Sequence, residues 1–549
     1  MRITNKIMQN NSLSNINTNK VSQDKLNTMM STQKKITRPS DDPVIAIRSL
    51  RLRSSVSQIN QYYEKNAPDA ESWLEVTEDA ILNVVDVLTD MIKQVTKGST
   101  EQLKTSDREV IVEQLKALRN ELYSTGNADY AGRFIFTGYR TDTTLEFTKA
   151  EIRDFEIVEQ LDASAIDEIM HVNTVYDKSA AAGDEYDILD INDSNYYENP
   201  PGTKTGYSEI TEQNSVTATK LHRIRLAYKD CYEDTAIPPT KLPVIEYTDR
   251  SVTPPVPAQY SVAAGNMTQA HSYDIPSPYE NIPANGVVYL ADTGELLLGD
   301  TAYNNLINTK DDVTTSTADE GEIRITYSKN SWEKGDLRPE HYFACKEKIT
   351  GEPDIEYNQE YLTYNYARQS IEYDVGFNQV IQINTTADEL YTHDIGREVD
   401  DLVKTMQQMI DLEKAIDRIK DTMDALSESD PNYQNKRDTL QAQLDAANKA
   451  HAFVKENVET EFSTGITAMQ GYLDQANLAL TNCGTRGKKL ELVESRLMSQ
   501  QTTFETLKSE NEDADITEIA IKLNSAELTY EASLMATGKI MQTSLLNFI

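Results

Sequence analysis

The residues in this sequence that could do chemistry are few and scattered. Six histidines, His171, His222, His271, His341, His393 and His451, form no HExxH pattern and no pair at metal-ligand spacing. Asp292-Thr293-Gly294, following the apolar run Val287 to Leu290, has the local form of an aspartic-protease motif. That chemistry needs two carboxylates sharing one proton, and the sequence holds no second copy, so a hairpin turn is the better account. Asp190, Asn192 and Ser194 begin like a calcium loop, but Asn195 stands where the sharp turn needs Gly and Pro201 where the closing Glu belongs. Cys231, Cys345 and Cys483 are too few and too dispersed for a disulfide framework or a zinc site. No Gly-rich phosphate-binding pattern occurs. The expectation is no cofactor, no metal and no enzyme, so function should come from how the chain packs.

At 549 residues the chain should hold several domains. It carries 89 acidic against 53 basic residues, a formal charge of −36, which argues against a nucleic-acid partner. The charge is uneven: residues 1–60 hold ten basic side chains against Asp24, Asp41 and Asp42. This cationic arm could simply be solvated, or it could meet carboxylates such as those around Glu510 to Glu518. No run approaches the roughly 18 apolar residues that membrane insertion requires, and the N-terminus lacks the apolar core of a cleaved Sec signal.

What organises the chain is the stretch Arg38-Pro39-Ser40-Asp41-Asp42-Pro43. Pro39 disfavours helix at Arg38, so a preceding helix should end there. Asp42 can cap a new helix with Pro43 at its first position. Upstream, residues 1–37 are polar and carry no continuous apolar stripe, which predicts disorder in the free chain and an inner-tube helix only when neighbours supply the missing apolar face. Downstream, Leu52, Val56, Ile59, Tyr63, Ala67, Ala70, Leu74, Thr77, Ile81, Val84, Leu88, Met91 and Val95 recur in steps of three and four, a coiled-coil-type seam. Pro68 inside it predicts a kink near Asn66. Ser106 with Glu109 should cap a further helix ended by Gly126, and Phe134 to Phe136 between Gly132 and Gly138 should form a strand entering a hairpin.

From about 141 to 392 the helical period is lost and Tyr, Thr, Val, Asp and Pro dominate, which predicts a β-rich insertion, with Gly286 to Leu290 and Glu295 to Leu298 as one hairpin. Helical pattern resumes near Ile395 and breaks at Pro431. Then Met469, Ala476, Cys483, Leu490, Leu497 and Phe504 recur every seven residues, and this helix should lie along the seam of 52–95 with Cys483 as a small core residue. After an acidic break at Glu510 to Ala514, Asp515 and Glu518 should cap a last helix. Its apolar positions repeat every eleven residues: Ile519, Tyr530, Met541; Leu523, Leu534, Leu545; Ala526, Thr537, Phe548. That spacing gives about 3.67 residues per turn and a nearly straight helix suited to packing among copies of itself. Its tip, Leu545, Leu546, Phe548 and Ile549, is too apolar to remain in water alone. The fold class is therefore α+β: a long helical body built from both ends of the chain, with an inserted β-rich outer region. The expected divisions are an arm at 1–37, a linker at 38–43, helical body at 44–140 and 393–510, the insert at 141–392 and a terminal helix at 511–549.

Met1-Arg2-Ile3-Thr4, the PSDDP linker, Gly132-Arg133-Phe134-Ile135-Phe136-Thr137-Gly138-Tyr139, Gly484-Thr485-Arg486, Leu490 to Glu494 and Ser544 to Ile549 occur in an order that resembles the flagellin superfamily. The linker and the RFIFTGY strand look like those of its hook-associated junction proteins. The resemblance covers about the first 145 and the last 85 residues. It departs at Cys483 and Thr485, where the family more often has an aliphatic residue and Ala. It implies a structural part of the bacterial flagellum joining hook to filament. The implied location is extracellular, reached through the flagellar type III export channel without a cleaved signal peptide. The implied partners are further copies in a helical ring, the other hook-associated junction protein, flagellin, and an export chaperone on the C-terminal helix. The residues expected to carry assembly are Arg38, Pro39, Asp41, Asp42 and Pro43 in the linker, and Ile519, Leu523, Tyr530, Leu534, Leu545 and Phe548 in the terminal helix. Leu52, Ile59, Leu74, Ile81, Leu88, Leu490, Leu497 and Phe504 are expected in the body seam. Two alternatives remain open: flagellin itself, and an enzyme or adhesin displayed on the flagellum through the 141–392 insert.

Overall fold

The computed structural model describes residues 5–100, 103–173, 216–236, 239–249, 256–274, 277–307, 323–362, 369–429 and 433–542. Residues 5–32 form helix α1, Asn5–Thr32, the element expected to become helical once a neighbouring segment packs on it. The helix stops six residues short of Arg38, at Gln33, whose φ of 56° lies in the left-handed region. Helix α2, Pro43–Gln61, starts as the sequence predicts. The Asp42 carboxylate accepts the Val44 N–H at 2.9 Å and the Ile45 N–H at 3.1 Å, with Pro43 in the first turn. A π turn at Tyr62–Asn66 joins α2 to α3, Ala67–Gly98. Its position agrees with the kink predicted from Pro68, which has no N–H for the preceding turn.

Helix α4, Thr105–Thr125, ends against Gly126, but its cap differs from the predicted Ser106–Glu109 box. Asp107 takes that role instead, accepting the Lys104 N–H at 3.4 Å. The strand predicted across Phe134 to Phe136 is shorter: β1, Asp129–Tyr130, pairs with β2, Arg133–Phe134, and Ile135 and Phe136 leave the ladder to become fully buried.

The chain divides into two compact units. The first comprises Met1–Ser72, Glu372–Ile381 and Arg486–Ile549; the second comprises Trp73–Ile371 and Gln382–Thr485. In the second, two antiparallel-rich sheets enclose a common core. One has the order β13-β12-β3-β11-β6-β7: β3 Glu151–Leu161, β6 Val244–Asp249, β7 Val256–Tyr260, β11 Ile323–Trp332, β12 Ala344–Lys348 and β13 Ile355–Tyr357. The other has the order β4-β5-β10-β9-β8: β4 Ile166–Val172, β5 Ala218–Arg225, β8 Met267–Ala270, β9 Val287–Leu290 and β10 Glu295–Leu298. Phe155, Ile157, Ile325, Ile224, Leu296 and Trp332 meet in that core. Helix α5, Asp300–Ile307, closes one end with Ala302 and Leu306. The predicted 287–298 hairpin forms, with Leu290 opposite Glu295 and Gly294 at φ 65°. A Cβ at Gly294 would stand 2.0 Å from the Tyr228 carbonyl oxygen, so both the turn and the close approach require glycine.

Helix α6, His393–Ala425, and helix α7, Tyr433–Glu512, follow the insert; Pro431 lies outside the described residues. Within the second unit α7 runs antiparallel to α3. The Cys483 thiol points at the Leu74 carbonyl at 3.5 Å, and the Phe462 ring packs where Gly98 has no side chain. Leu74, Ile81, Leu88 and Cys483 are all buried, so the heptad column is a core seam and Cys483 a core residue.

A buried ionic network ties the five-stranded sheet to α6. The Arg223 guanidinium from β5 bridges Glu295 of β10 and Asp401 of α6, and Arg225 reaches Asp401 and Glu398. Tyr279 donates to Glu295 at 2.7 Å and Lys404 approaches the Tyr279 hydroxyl at 3.3 Å. Burial alone would raise the Glu295 carboxyl, but Lys404 and Arg223 hold it at about 2. Burial would likewise raise Asp401, which Arg223 and Arg225 hold well below the usual carboxylate range. Beside them Glu461 of α7 is pushed up to about 7, first by burial and then by the neighbouring Asp401 charge.

Candidate functional site

The two ends of the chain meet in the first unit. Helix α8, Ile516–Gln542, lies antiparallel to α1: Asn19 donates to Ser533 at 2.8 Å and Gln23 to Glu527 at 3.5 Å. The pair is thinly packed. No described residue of α1 is buried, and among the described side chains of α8 only Ile519 and Thr537 are. On α1 the half-buried positions include Gln9, Ser12, Ile16, Asn19, Gln23 and Leu26, a three-four spacing that is mostly polar, followed by Thr28 and Met29. This stripe is invisible to a count of apolar residues because most of its side chains are polar. Outward, α8 exposes Ile521, Leu528 and Met535 at seven-residue intervals.

Of the predicted eleven-residue columns, Ile519 is buried, Leu523 and Tyr530 are half-buried and Leu534 is exposed. Leu545 and Phe548 lie outside the described residues. The exposed heptad set Ile521, Leu528 and Met535 was missed, although its spacing is visible in the sequence; the eleven-residue pattern drew attention to the other face.

The segments following α1 and preceding α8 are laced together. The Lys35 N–H donates to the Glu512 carbonyl at 2.8 Å and the Ala514 N–H to the Gln33 carbonyl at 3.0 Å, flanking an antiparallel bridge between Lys34 and Asp513. Glu512 is the hub. Its carboxylate takes Nε and Nη2 of Arg53 at 2.6 and 2.8 Å and the Ser49 hydroxyl, with Lys34 at 3.6 Å. The Arg53 hydrogen bond, with help from Ser49 and Lys34, holds the Glu512 carboxyl down at about 2. Lys34 also pairs with Asp513, and the Lys35 ammonium with the Glu510 carbonyl. The cationic arm thus does meet the carboxylates near 510–518. Asp515 caps α8 through the Thr517 and Glu518 N–H groups at 2.8 and 3.2 Å.

In the linker, Asp41 accepts the N–H groups of Arg38 at 2.9 Å and Thr37 at 3.2 Å, and the first of these bonds lowers its carboxyl from the ordinary value. Asp42 caps α2, Pro43 fills the first turn, and Arg38 and Pro39 are exposed. Of the seam residues in this unit, Ile59, Leu490 and Leu497 are buried while Leu52 and Phe504 are half-buried. Gln501 on α7 bonds Asn60 and Glu64, both at 3.1 Å, so α7 runs along α2 here. A hairpin that the sequence reading did not single out, β14 Glu372–Gly376 with β15 Gln379–Gln382, sits over the π turn. It receives Asn66 on the Asp374 carbonyl at 2.7 Å, and its Tyr373 hydroxyl bonds Asp69.

Asp292 and several of the histidines make local packing and hydrogen-bond contacts. Asp292 accepts from Ser272 at 2.5 Å at the foot of the β9–β10 turn. His171 stacks on Tyr279, His222 on Tyr303, and His393 packs edge-on to Tyr228 and Tyr342. Burial pushes His171 and His341 down to about 4. The Asp190 to Pro201 stretch lies outside the described residues. Among the described residues no group of three or more His, Cys, Asp or Glu is placed to hold a metal ion, and no helix is long and apolar enough to cross a membrane.

Residues 3–141 match the bacterial flagellin N-terminal helical region. The chain is 29% identical over 143 residues to flagellar hook-associated protein 3 of Salmonella typhimurium, which covers 26% of this chain and 45% of that protein. It is 26% identical over 222 residues to flagellin of Clostridium tyrobutyricum, covering 40% of this chain and 50% of that one. The chain thus spans about half the length of the curated relatives it matches. The crystal structure of flagellar hook associated protein-3 from Legionella pneumophila aligns over 84% of this chain and 97% of that one, at 9% identity and a TM-score of 0.26.

Proposed function

From a flagellin-type N-terminal helical region that resembles flagellar hook-associated protein 3, we propose that this chain is a structural component of the bacterial flagellum. It serves there as an adapter between hook and filament. One observation carries the reading: α1 and α8 bring both chain ends together as a thinly packed pair, leaving Ile521, Leu528 and Met535 in water. Burying such a stripe against neighbouring copies stabilises an assembly that the pair alone cannot complete. In this reading Ile519, Leu523 and Tyr530 hold α8 in the terminal pair, Ile521, Leu528, Leu534 and Met535 meet neighbouring copies, and Arg38 to Pro43 set the exit of α2.

The proposal includes a helical ring of identical copies. The other hook-associated junction protein lies below it and flagellin above, and an export chaperone holds α8 before secretion through the flagellar type III apparatus. The β-rich region of 141–392 faces outward. Deleting the gene should leave hooks without filaments on electron micrographs, and filaments of normal length in the deletion would refute the role. Leu523→Glu should leave residues 44–510 folded by circular dichroism while motility is lost. A motile Leu523→Glu strain with normal filaments would refute the part given to α8.

A further inference from the structure

Helices α2 and α3 share one buried face across the π turn. Val56 and Ile59 before the turn and Ala67 and Ala70 after it are all buried. Ile59 and Ala67 are eight residues apart. At about 100° per residue a plain α-helix would set them about 80° out of line. A π turn closes residue i on i+5 and so takes up about one extra residue. Here the Ala67 N–H donates to the Tyr62 carbonyl across the turn, and the two faces stay aligned. Two features hold that geometry. Pro68 has no N–H to offer the Glu64 carbonyl, and its ring would press on that carbonyl in a plain α-helix. The β14–β15 hairpin grips the same segment: Asn66 Nδ2 donates to the Asp374 carbonyl at 2.7 Å and the Tyr373 hydroxyl bonds Asp69. The hairpin is braced in turn on α7, where Arg496 bonds Gln379 and the Lys489 ammonium approaches the Val380 carbonyl at 3.4 Å.

We infer that the π turn sets the rotation of α2: its extra residue, held by Pro68 and the hairpin, turns the helix so that Ser49 and Arg53 meet Glu512. Without that residue α2 would rotate by about 100°, each position taking the place of the one before it. Ile47 and Leu50, now 55% and 65% exposed, would lie where Ala46 and Ser49 are buried. At the other end of the helix Ser57 and Asn60 would replace Val56 and Ile59. Each rotation therefore buries one apolar pair and exposes another, so α2 has two settings and the turn selects between them. In the second setting Ser49 and Arg53 leave the Glu512 carboxylate and Gln501 loses Asn60. The grip of the hairpin on the turn is thereby coupled, through one helix, to the place where the two chain ends are tied. This coupling goes beyond the adapter reading and does not depend on it.

The test uses the full chain and reads the rotation in two ways. Amide exchange follows Lys35 and Ala514, whose N–H groups bond across the junction. Maleimide labelling follows Ile47→Cys, the native Cys231, Cys345 and Cys483 being buried. Asn66→Ala with Pro68→Ala frees the turn to close as plain α-helix. Protection at both amides should fall about tenfold and labelling should slow about tenfold, while the amides of β11 do not change. Deleting the exposed Lys65 from that variant shortens the step from Ile59 to Ala67 to seven residues. Seven residues are only about 20° out of line in a plain helix, so both readouts should return to within about twofold of the parent. Unchanged protection and labelling in the double variant would mean that the turn does not set the rotation. A loss that deletion of Lys65 does not restore would mean local unfolding in place of rotation. Either result overturns the inference and leaves the adapter role, which is tested by filament growth, untouched.

Discussion

Replacing Glu512 by Gln removes one charge from the junction of the two chain ends and keeps its shape. In the folded chain the Glu512 carboxyl sits at about 2 against an ordinary 4.5, held there chiefly by Arg53. That difference corresponds to about 3 kcal/mol of preference for the charged form. Arg53 and Lys34 are 56% and 41% exposed, so solvent screening reduces the contribution to about 1–2 kcal/mol. A lowered carboxyl stabilises the fold above the unfolded value and loses that contribution as pH falls. The contribution is therefore complete at pH 7, declines below about 4.5 and is gone below about 2.

Amide hydrogen exchange reads the junction directly, because the Lys35 N–H bonds the Glu512 carbonyl and the Ala514 N–H bonds the Gln33 carbonyl. Glu512→Gln should reduce protection at these two amides about 5- to 30-fold at pH 7. The amides of β11 should not change. At pH 2.5 the gap between variant and parent should shrink to about a quarter in free energy. Unchanged protection at pH 7 would show that the carboxylate does not hold the ends together. A gap of equal size at pH 2.5 would show that the effect is not electrostatic.

Asp401→Asn removes the carboxylate that Arg223 and Arg225 share and leaves the two buried guanidiniums with Glu295 and Glu398. It should destabilise the second unit by about 3–5 kcal/mol in urea titration, and a loss below about 1 kcal/mol would mean the network is dispensable. Glu461→Gln tests the opposite sign. A carboxyl raised to about 7 lowers stability as pH climbs from 4.5 through 7, so the amide should stabilise the unit at pH 8 and be neutral at pH 4, and equal melting shifts at both would contradict this. Gly294→Ala forces a Cβ against the Tyr228 carbonyl at a positive φ and should cost more than about 1 kcal/mol, whereas an unchanged melting temperature would mean the turn relaxes.

The sequence alone determined what depends on neighbours a few residues apart. Asp42 and Asp515 announce their helices because capping is local, Pro68 marks the π turn because its missing N–H is local, and the seven-residue column at Met469 to Leu497 marks a seam because helical period is local. The 287–298 hairpin is legible for the same reason, in two short apolar runs separated by Asp-Thr-Gly. The PSDDP linker and RFIFTGY strand pointed to the same family as the similarity to curated proteins.

Only the tertiary structure decided which distant segments meet. Arg53 and Ser49 are separated from Glu512 by more than 450 residues, and nothing in either stretch names the other. Helix α1 lies on a half-polar face, with Asn19 and Gln23 bonding α8, a pairing that a count of apolar residues does not reveal. The strand order β13-β12-β3-β11-β6-β7 brings together strands far apart in the chain. Nothing in the sequence marks Arg223, Glu295 and Asp401 as buried charges, because burial belongs to the assembled layers and not to the residue. Local chemistry writes the elements, while long-range desolvation and hydrogen bonding choose their partners.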